Sequence, residues 1–141
     1  MKRLNILLAV MGLALAFALG AQAQVLRDAN YEAFGRIAPN GTVRGTDSMS
    51  MGFFDADGTI KDKAGNVLGR INRLEIFDNE GNRIGYINTN GTVRNGNSEV
   101  LGNINLSDGK VTDAEHHVLG YARGIRVDWI ACYFFFDFFK K

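Results

Sequence analysis

Cysteine is nearly absent from this chain of 141 residues, which contains Cys132 alone. A single cysteine cannot form an internal disulfide, so packing or self-association must stabilise the fold. An unpaired cysteine usually behaves as a small apolar side chain, and we therefore expect Cys132 to be buried.

An excess of charge of one sign is also missing. The sequence holds 16 Lys and Arg against 15 Asp and Glu, for a formal net charge of +1. Such a balance argues against nucleic acid and against a strongly anionic partner.

Recognisable catalytic signatures are missing too. We find no Ser-His-Asp order, no phosphate-binding glycine loop and no Cys/His spacing typical of a metal site. The sequence therefore predicts no catalytic residue, no metal site and no cofactor.

The chain has no apolar run as long as the roughly 20 residues that a membrane-spanning helix needs. The run at residues 6–19 is shorter, follows the basic Lys2 and Arg3, and precedes the small-x-small sequence AQA at 21–23. This pattern predicts a secretory signal over residues 1–23. Residues 24–141 then form a single exported domain, located in the periplasm, in the outer envelope or outside the cell.

A repeat of about 17 residues fills this domain. DKAGNVLG at 62–69 and DNEGNRIG at 78–85 are two of six related octamers, each ending in glycine. The closing glycines, spaced 16 to 18 residues apart, are Gly35, Gly52, Gly69, Gly85, Gly102 and Gly120. Such regularity indicates that one structural unit recurs around or along the molecule.

Each unit reads as an antiparallel pair of short strands. In segments such as TVR and TIK, an aliphatic residue stands between polar ones, as in a strand with one buried face. The inward side chains are predicted to be Val43, Ile60, Val93 and Val111, with Phe77 at this position in the third copy. Asn-Gly or Asp-Gly pairs such as Asn40-Gly41 and Asp57-Gly58 are strong hairpin signals. The octamer forms a second turn, opened by Asp or Asn and completed by a residue such as Gly65 in a left-handed conformation.

The closing glycines stand inside strands, where glycine weakens pairing and needs a reason. Their recurrence favours a close approach of the backbone, with layers of Leu and Ile packing on either side. The preceding residues are Leu68, Ile84, Leu101 and Leu119, and those two positions later are Ile71, Ile87 and Ile104.

About twelve short strands joined by frequent turns predict an all-β fold of pseudo-symmetric antiparallel hairpins, flower-like or barrel-like. A β-solenoid is the alternative, but it requires parallel neighbours, which two-residue turns do not join.

The repeated D-x-x-G-N-x-I/L-G-x-I units, the export signal and the phenylalanine-rich end resemble the 4-fold beta-flower domain family of exported bacterial proteins. The resemblance extends from about Val25 to the C-terminus. It implies a rotationally pseudo-symmetric β assembly and brings no catalytic signature with it.

The segment VDWIACYFFFDFFKK lies outside the repeat. Over residues 128–141 we expect a buried helix or an extended plug that closes one end of the assembly, with Asp128 as helix N-cap and Lys140 and Lys141 at the C-terminal end. The alternative is that residues from Trp129 to Phe139 contact a membrane or a partner, since exposed apolar patches mark such sites.

His116 and His117 are the only histidines, but they align with Gly65-Asn66 and Gly81-Asn82 at a turn tip. We therefore interpret them as turn residues; a solvated site with Asp113 or Glu115 is the weaker alternative. The stretch DADGT, with Asp55 and Asp57, is similar to the start of a calcium loop. The twelfth position of that loop is Asn66 rather than the required Glu, so a hairpin turn is favoured.

These features favour an exported, non-enzymatic β-repeat module that binds a glycan or an envelope protein or has a structural role. A protein docked to the envelope by its aromatic tail is one alternative. A hydrolase with carboxylates such as Asp55 and Asp57 is the other.

Overall fold

The computed structural model describes residues 24–139, so the predicted signal at 1–23 and the two C-terminal lysines lie outside the described residues. These residues form twelve short strands and one helix. The strands are Val25–Asp28 (β1), Ala33–Ile37 (β2), Thr42–Gly45 (β3), Ser50–Phe54 (β4), Thr59–Asp62 (β5), Val67–Asn72 (β6), Glu75–Asp78 (β7), Arg83–Ile87 (β8), Thr92–Asn95 (β9), Val100–Ile104 (β10), Lys110–Asp113 (β11) and Val118–Tyr121 (β12). Helix α1 spans Val127–Phe135.

The strands form a closed antiparallel barrel in which each strand pairs with its neighbours in the sequence. Pairing of β1 with β12, with Arg27 opposite Tyr121, completes the ring. The prediction of an all-β assembly of hairpins is thereby confirmed, and the β-solenoid alternative is wrong because neighbouring strands run in opposite directions. Closure also leaves no unpaired sheet edge.

Six wide turns at residues 28–32, 45–49, 62–66, 78–82, 95–99 and 113–117 lie at one end of the barrel. In a representative turn, the Oδ1 atom of Asp78 accepts the N–H groups of Glu80 and Asn82, both at 2.9 Å. The fourth residue of each wide turn has a positive φ, as the sequence predicts; the six are Tyr31, Ser48, Gly65, Gly81, Ser98 and His116. Each hairpin with a wide turn also contains a register shift typical of a β-bulge.

The tight turns lie at the opposite end. At residues 38–41, 55–58, 88–91 and 105–109, a side-chain oxygen in the turn accepts a backbone N–H two positions later, and a glycine with positive φ follows. The third copy lacks this glycine and turns instead through Arg73, whose φ is 59°. This turn contains one residue fewer than the other tight turns, which accounts for the spacing of 16 between Gly69 and Gly85.

The wide turns make stability sensitive to acid. The pKa of Asp62 is lowered mainly by the Asn66 side-chain amide, and that of Asp78 mainly by the backbone N–H of Asn82. A carboxyl whose pKa is lower in the folded chain than in the unfolded chain stabilises the fold at pH values above its unfolded pKa of about 3.8. This contribution is lost as the pH falls through the folded pKa.

We therefore expect the double variant Asp62→Asn, Asp78→Asn to lose less stability than the wild type between pH 5 and about pH 3. Asparagine keeps the turn, because Oδ1 of Asn95 accepts the N–H groups of Asn97 and Glu99 in the equivalent turn. The measurement is the urea midpoint at both pH values, and the single variant Asp78→Ala, which loses the hydrogen bonds, should lower the midpoint at pH 7. If the urea midpoint of the asparagine variant falls as much as that of the wild type between pH 5 and about pH 3, these turns do not cause the loss of stability in acid.

The barrel interior is lined by one inward-facing aliphatic or aromatic residue from most strands. Val43, Ile60, Val93 and Val111 are fully buried, as predicted. The prediction for the third copy is wrong: Ile76 is fully buried opposite Gly85, whereas Phe77 lies on the outer face and is half-buried. The pairing register is the same as in the other copies, but the tight turn is one residue shorter, so the inward position falls on Ile76 instead of Phe77.

All six closing glycines are buried on the inner face, and each is approached by the next strand. A Cβ atom added to Gly85 would meet the carbonyl oxygen of Arg94 at 2.6 Å, and corresponding carbonyls lie beside the other five. The predicted close approach of backbone is therefore confirmed.

Helix α1 lies inside the barrel and fills it. Its residues 128–132 are buried, and Trp129 stacks on Phe54 with ring centroids 5.2 Å apart. From the last turn of the helix onward, the chain places one phenylalanine ring against each of five closing glycines in turn around the barrel. The pairs are Phe134 with Gly120, Phe135 with Gly102, Phe136 with Gly85, Phe138 with Gly69 and Phe139 with Gly52. The glycines thus provide the space that the rings of the C-terminal segment occupy.

The helix begins near the tight turns, and its rings lie nearer the wide turns. Asp128 is not the N-cap: Arg126 holds that position without a side-chain cap, and Asp128 lies in the first turn. The Arg126 guanidinium bonds to Asp128, so this carboxylate neutralises a cation instead of capping the helix.

Candidate functional site

A cleft of about 230 Å³ opens at the tight-turn end, beside the start of helix α1. Two neighbouring tight turns and the helix form its walls, and Phe54 and Ile71 lie beneath them. Its polar side chains are Asp55, Asp57, Asn72, Arg73, Arg126 and Asp128.

The tight turn at 55–58 brings two carboxylates to the cleft. Asp55 forms an ion pair with Lys61 at 2.8 Å. Oδ1 of Asp57 accepts the backbone N–H of Thr59 at 3.0 Å, and this bond is the main reason that the pKa of Asp57 lies below its ordinary value. The favoured interpretation of DADGT as a hairpin turn is confirmed, and both carboxylates line the same cleft.

The helix supplies a third carboxylate, which is buried. Asp128 accepts two hydrogen bonds from Arg126, from Nε at 3.1 Å and from Nη2 at 2.6 Å, and one from the N–H of Trp129 at 3.0 Å. The guanidinium carbon of Arg126 lies 4.9 Å from the centre of the Trp129 ring, over its face. These contacts hold Arg126 rigidly at the mouth of the cleft, with much of its side chain exposed.

Arg73 completes the cleft from the opposite wall. It is exposed, and in the described part of the chain it forms no ion pair. Sequence reasoning missed Arg73, Arg126 and Asp128 as site residues. A signal for Arg73 existed, since the third copy lacks the glycine of the tight turn and carries a large cation within that turn.

The cleft therefore combines acceptors and donors whose positions the fold determines. Asp55 and Asp57 accept hydrogen bonds, and Arg73 and Arg126 donate them. A small polyhydroxylated group can satisfy both kinds at once, because each hydroxyl is a donor and an acceptor.

The histidines lie at the other end of the barrel. His116 occupies the left-handed position of its wide turn with a φ of 69°. Nδ1 of His117 lies 3.3 Å from Oδ2 of Asp113 and 3.8 Å from Oε2 of Glu115. Their interpretation as turn residues agrees with this position, and they do not contribute to the cleft.

Cys132 lies within helix α1. Cys132 is fully buried as expected, and burial raises the pKa of its thiol well above the ordinary value.

Within residues 24–139, no group of three or more His, Cys, Asp or Glu side chains could hold a metal ion. The same residues include no helix long and apolar enough to cross a membrane.

Fold and cleft together define a class: a small repeat-built β-barrel whose own C-terminal segment fills the interior. Residues 23–139 match the family described as 5-fold beta-flower protein, and the chain belongs to it. The expected beta-flower fold is thus confirmed, whereas the 4-fold number inferred from the resemblance is wrong. No curated protein and no solved structure matches this sequence.

Proposed function

We propose that the protein is an exported, non-enzymatic module of the cell envelope that binds a glycan in the cleft beside the start of helix α1. The observation that carries this proposal is the meeting of hydrogen-bonded carboxylates with two arginines, Arg73 and Arg126, in one concave site. The volume of about 230 Å³ is below the roughly 300–1,000 Å³ of pockets for drug-sized ligands, which suits one sugar unit of a longer chain.

Rigidity supports binding rather than catalysis. Each carboxylate in the cleft already has an internal partner, and the lowered pKa of Asp57 favours its ionised form. An ionised, hydrogen-bonded carboxylate is a good acceptor for sugar hydroxyls and a poor general acid, which needs a raised pKa. Export is supported by the sequence of residues 1–23.

A hydrolase is the second candidate, because three carboxylates line one cleft. Glycoside hydrolysis needs one carboxyl that donates a proton and one that remains ionised. Release of new reducing ends from a bound glycan by the wild type, and its loss in Asp57→Asn, would favour this candidate over the first.

The test begins with a glycan array that includes bacterial envelope polysaccharides, followed by calorimetric titration of each ligand found. We expect Asp57→Asn to weaken binding roughly tenfold or more, as expected when a hydrogen bond to a charged group is lost. Asparagine occupies the equivalent turn position at Asn40 and Asn90, so the turn should persist. Arg73→Gly should weaken binding similarly, and the turn should persist because glycine tolerates the positive φ at this position.

The matched control is Asp108→Asn, which makes the same exchange in a tight turn outside the cleft. Oδ1 of Asp108 accepts the N–H of Lys110 at 3.0 Å, as Asp57 does for Thr59. Equal affinities of the Asp57 and Asp108 variants would overturn the cleft as the binding site. Absence of any bound glycan would overturn the proposed ligand class.

A further inference from the structure

The outer wall of the barrel carries a belt of six cross-strand pairs. Each pair joins the residue after a closing glycine to the residue directly opposite it on the next strand. The pairs are Arg36–Arg44, Phe53–Lys61, Arg70–Phe77, Tyr86–Arg94, Asn103–Thr112 and Tyr121–Arg27. The repeat thus provides six versions of one position, and they can be compared directly.

Four of the six pairs combine one cation with one aromatic ring, and one is uncharged. Opposite a cation, a ring is a favourable neighbour, since its face attracts the positive charge. Arg36 and Arg44 form the exception within this belt, because two cations stand directly opposite each other. Like charges in this position are destabilising, so the local sequence departs from the arrangement that the other units use.

The two arginines border a shallow groove of about 440 Å³. The groove lies between two wide turns, and its other lining residues include Gly35, Gly45, Thr46 and Ser48. Small side chains and hydroxyl groups at this place leave the guanidinium groups accessible from one side.

Arg36 and Arg44 are both exposed, and Arg44 is in addition held by a hydrogen bond. Nη1 of Arg44 donates to the carbonyl oxygen of Ser48 at 2.9 Å, leaving its other N–H groups available. In the described part of the chain, neither arginine forms an ion pair with a carboxylate. The nearest acid in sequence, Asp47, uses Oδ1 to accept the N–H of Met49 at 3.0 Å.

We propose that this groove is an anion site that binds a phosphate group. Two arginines present planar forks of N–H donors that match phosphate oxygens in a bidentate manner. Thr46 and Ser48 add hydroxyl donors, and the bound charge would offset the repulsion between Arg36 and Arg44. The site is separate from the glycan cleft, because it is formed by strands β2 and β3 and the wide turn after β3.

The same chemistry can come from free phosphate, from a phosphorylated sugar or from a lipid headgroup. Three probes distinguish these sources: inorganic phosphate, mannose 6-phosphate, and phosphatidylglycerol vesicles with phosphatidylcholine vesicles as reference. Titrations at low and high salt would follow amide resonances of Gly45, Thr46 and Ser48. The probe with the highest affinity identifies the source.

The decisive variant is Arg36→Tyr, which reproduces the Tyr86–Arg94 pair of another unit. We expect it to weaken phosphate binding roughly tenfold or more and to leave the melting temperature unchanged or higher. Arg70→Asn is the matched control, because it removes one belt cation outside the groove and installs the residue found at Asn103. This control should bind as the wild type does.

The proposal is overturned if none of the three probes binds, or if Arg36→Tyr and Arg70→Asn reduce binding equally. In the second case the belt would attract anions through its overall charge. A lower melting temperature of Arg36→Tyr would also contradict the proposal, because the arginine pair would then stabilise the fold. None of these outcomes affects the Asp57→Asn test, which concerns the cleft at the tight-turn end of the barrel.

Discussion

Deletion of residues 128–141 should abolish cooperative folding of the barrel. The segment contributes seven aromatic rings, of which Trp129 and Phe139 are almost fully buried. Fully burying one such ring contributes on the order of 1.5–3 kcal/mol. The other five rings are partly buried, so the sum is comparable with the roughly 5–15 kcal/mol stability of a typical domain. Without the segment, the inner faces of twelve strands would also be open to water.

Near-ultraviolet circular dichroism and amide hydrogen exchange would measure this loss, with the undeleted chain of residues 24–141 as reference. Phe139→Leu is a milder companion variant, since it reduces contact with Gly52 and Phe54 but keeps an apolar side chain there. It should fold with a lower urea midpoint. A deleted chain that folds and leaves the membrane fraction would instead support the alternative that residues 129–139 dock the protein to the envelope.

Gly102→Ala should destabilise the barrel by about 3 kcal/mol or more, at or above the upper end for an overpacked core site. Its Cβ atom would collide with the carbonyl oxygen of Thr112 and lie 2.6 Å from the Phe135 ring. The ring could shift, but the carbonyl belongs to the β10–β11 ladder and cannot move without breaking strand pairing. Urea unfolding followed by Trp129 fluorescence would measure the change.

Gly45→Ala is the control for this prediction. Its Cβ would meet only side-chain atoms, Oδ1 of Asp47 at 3.4 Å and the sulfur of Met51 at 3.5 Å. The expected change is within about 0.5 kcal/mol, as for most surface substitutions. Similar losses in the two variants would mean that close approach to the next strand is not what requires glycine at the closing positions.

The cleft and the anion groove both depend on residues that interrupt the repeat. Arg73 adopts a positive φ in a tight turn that lacks the usual glycine, and the Arg36–Arg44 pair replaces a mixed pair of cation and ring. Residues that follow the repeat are accounted for by folding. Residues that depart from it at a cost in strain or repulsion are therefore the better candidates for binding.

Much of the architecture could be predicted from the local sequence. Asp78 and Gly81 specify a wide turn by themselves, because the side chain bonds to its own backbone and the glycine accepts a positive φ. Asn90-Gly91 does the same for a tight turn. The burial of Val43 and Ile60 follows from alternation along the strand.

Long-range features could not be predicted in this way. The segment from Trp129 to Phe139 is apolar on every side, so no periodicity distinguishes helix from strand or indicates which glycine each ring covers. The prediction for Phe77 is wrong because the preceding turn is shorter by one residue, so the inward position falls on Ile76. The prediction of Asp128 as the cap is wrong because the helix already begins at Val127, which places Arg126 at the N-cap and Asp128 in the first turn.

By itself the sequence determined the repeat, the two kinds of turn, the antiparallel strand pairs and the need for glycine at six closing positions. The turns and most of the strand pairs depend on interactions among residues close together in the chain, and the regular recurrence of the glycines indicates that their positions require glycine. Closure of β1 on β12, the placement of helix α1 inside the ring, and the meeting of Asp57, Arg73 and Arg126 in one cleft were decided only by the tertiary structure. They join residues far apart in the sequence, and packing inside a closed barrel is what selects one such arrangement.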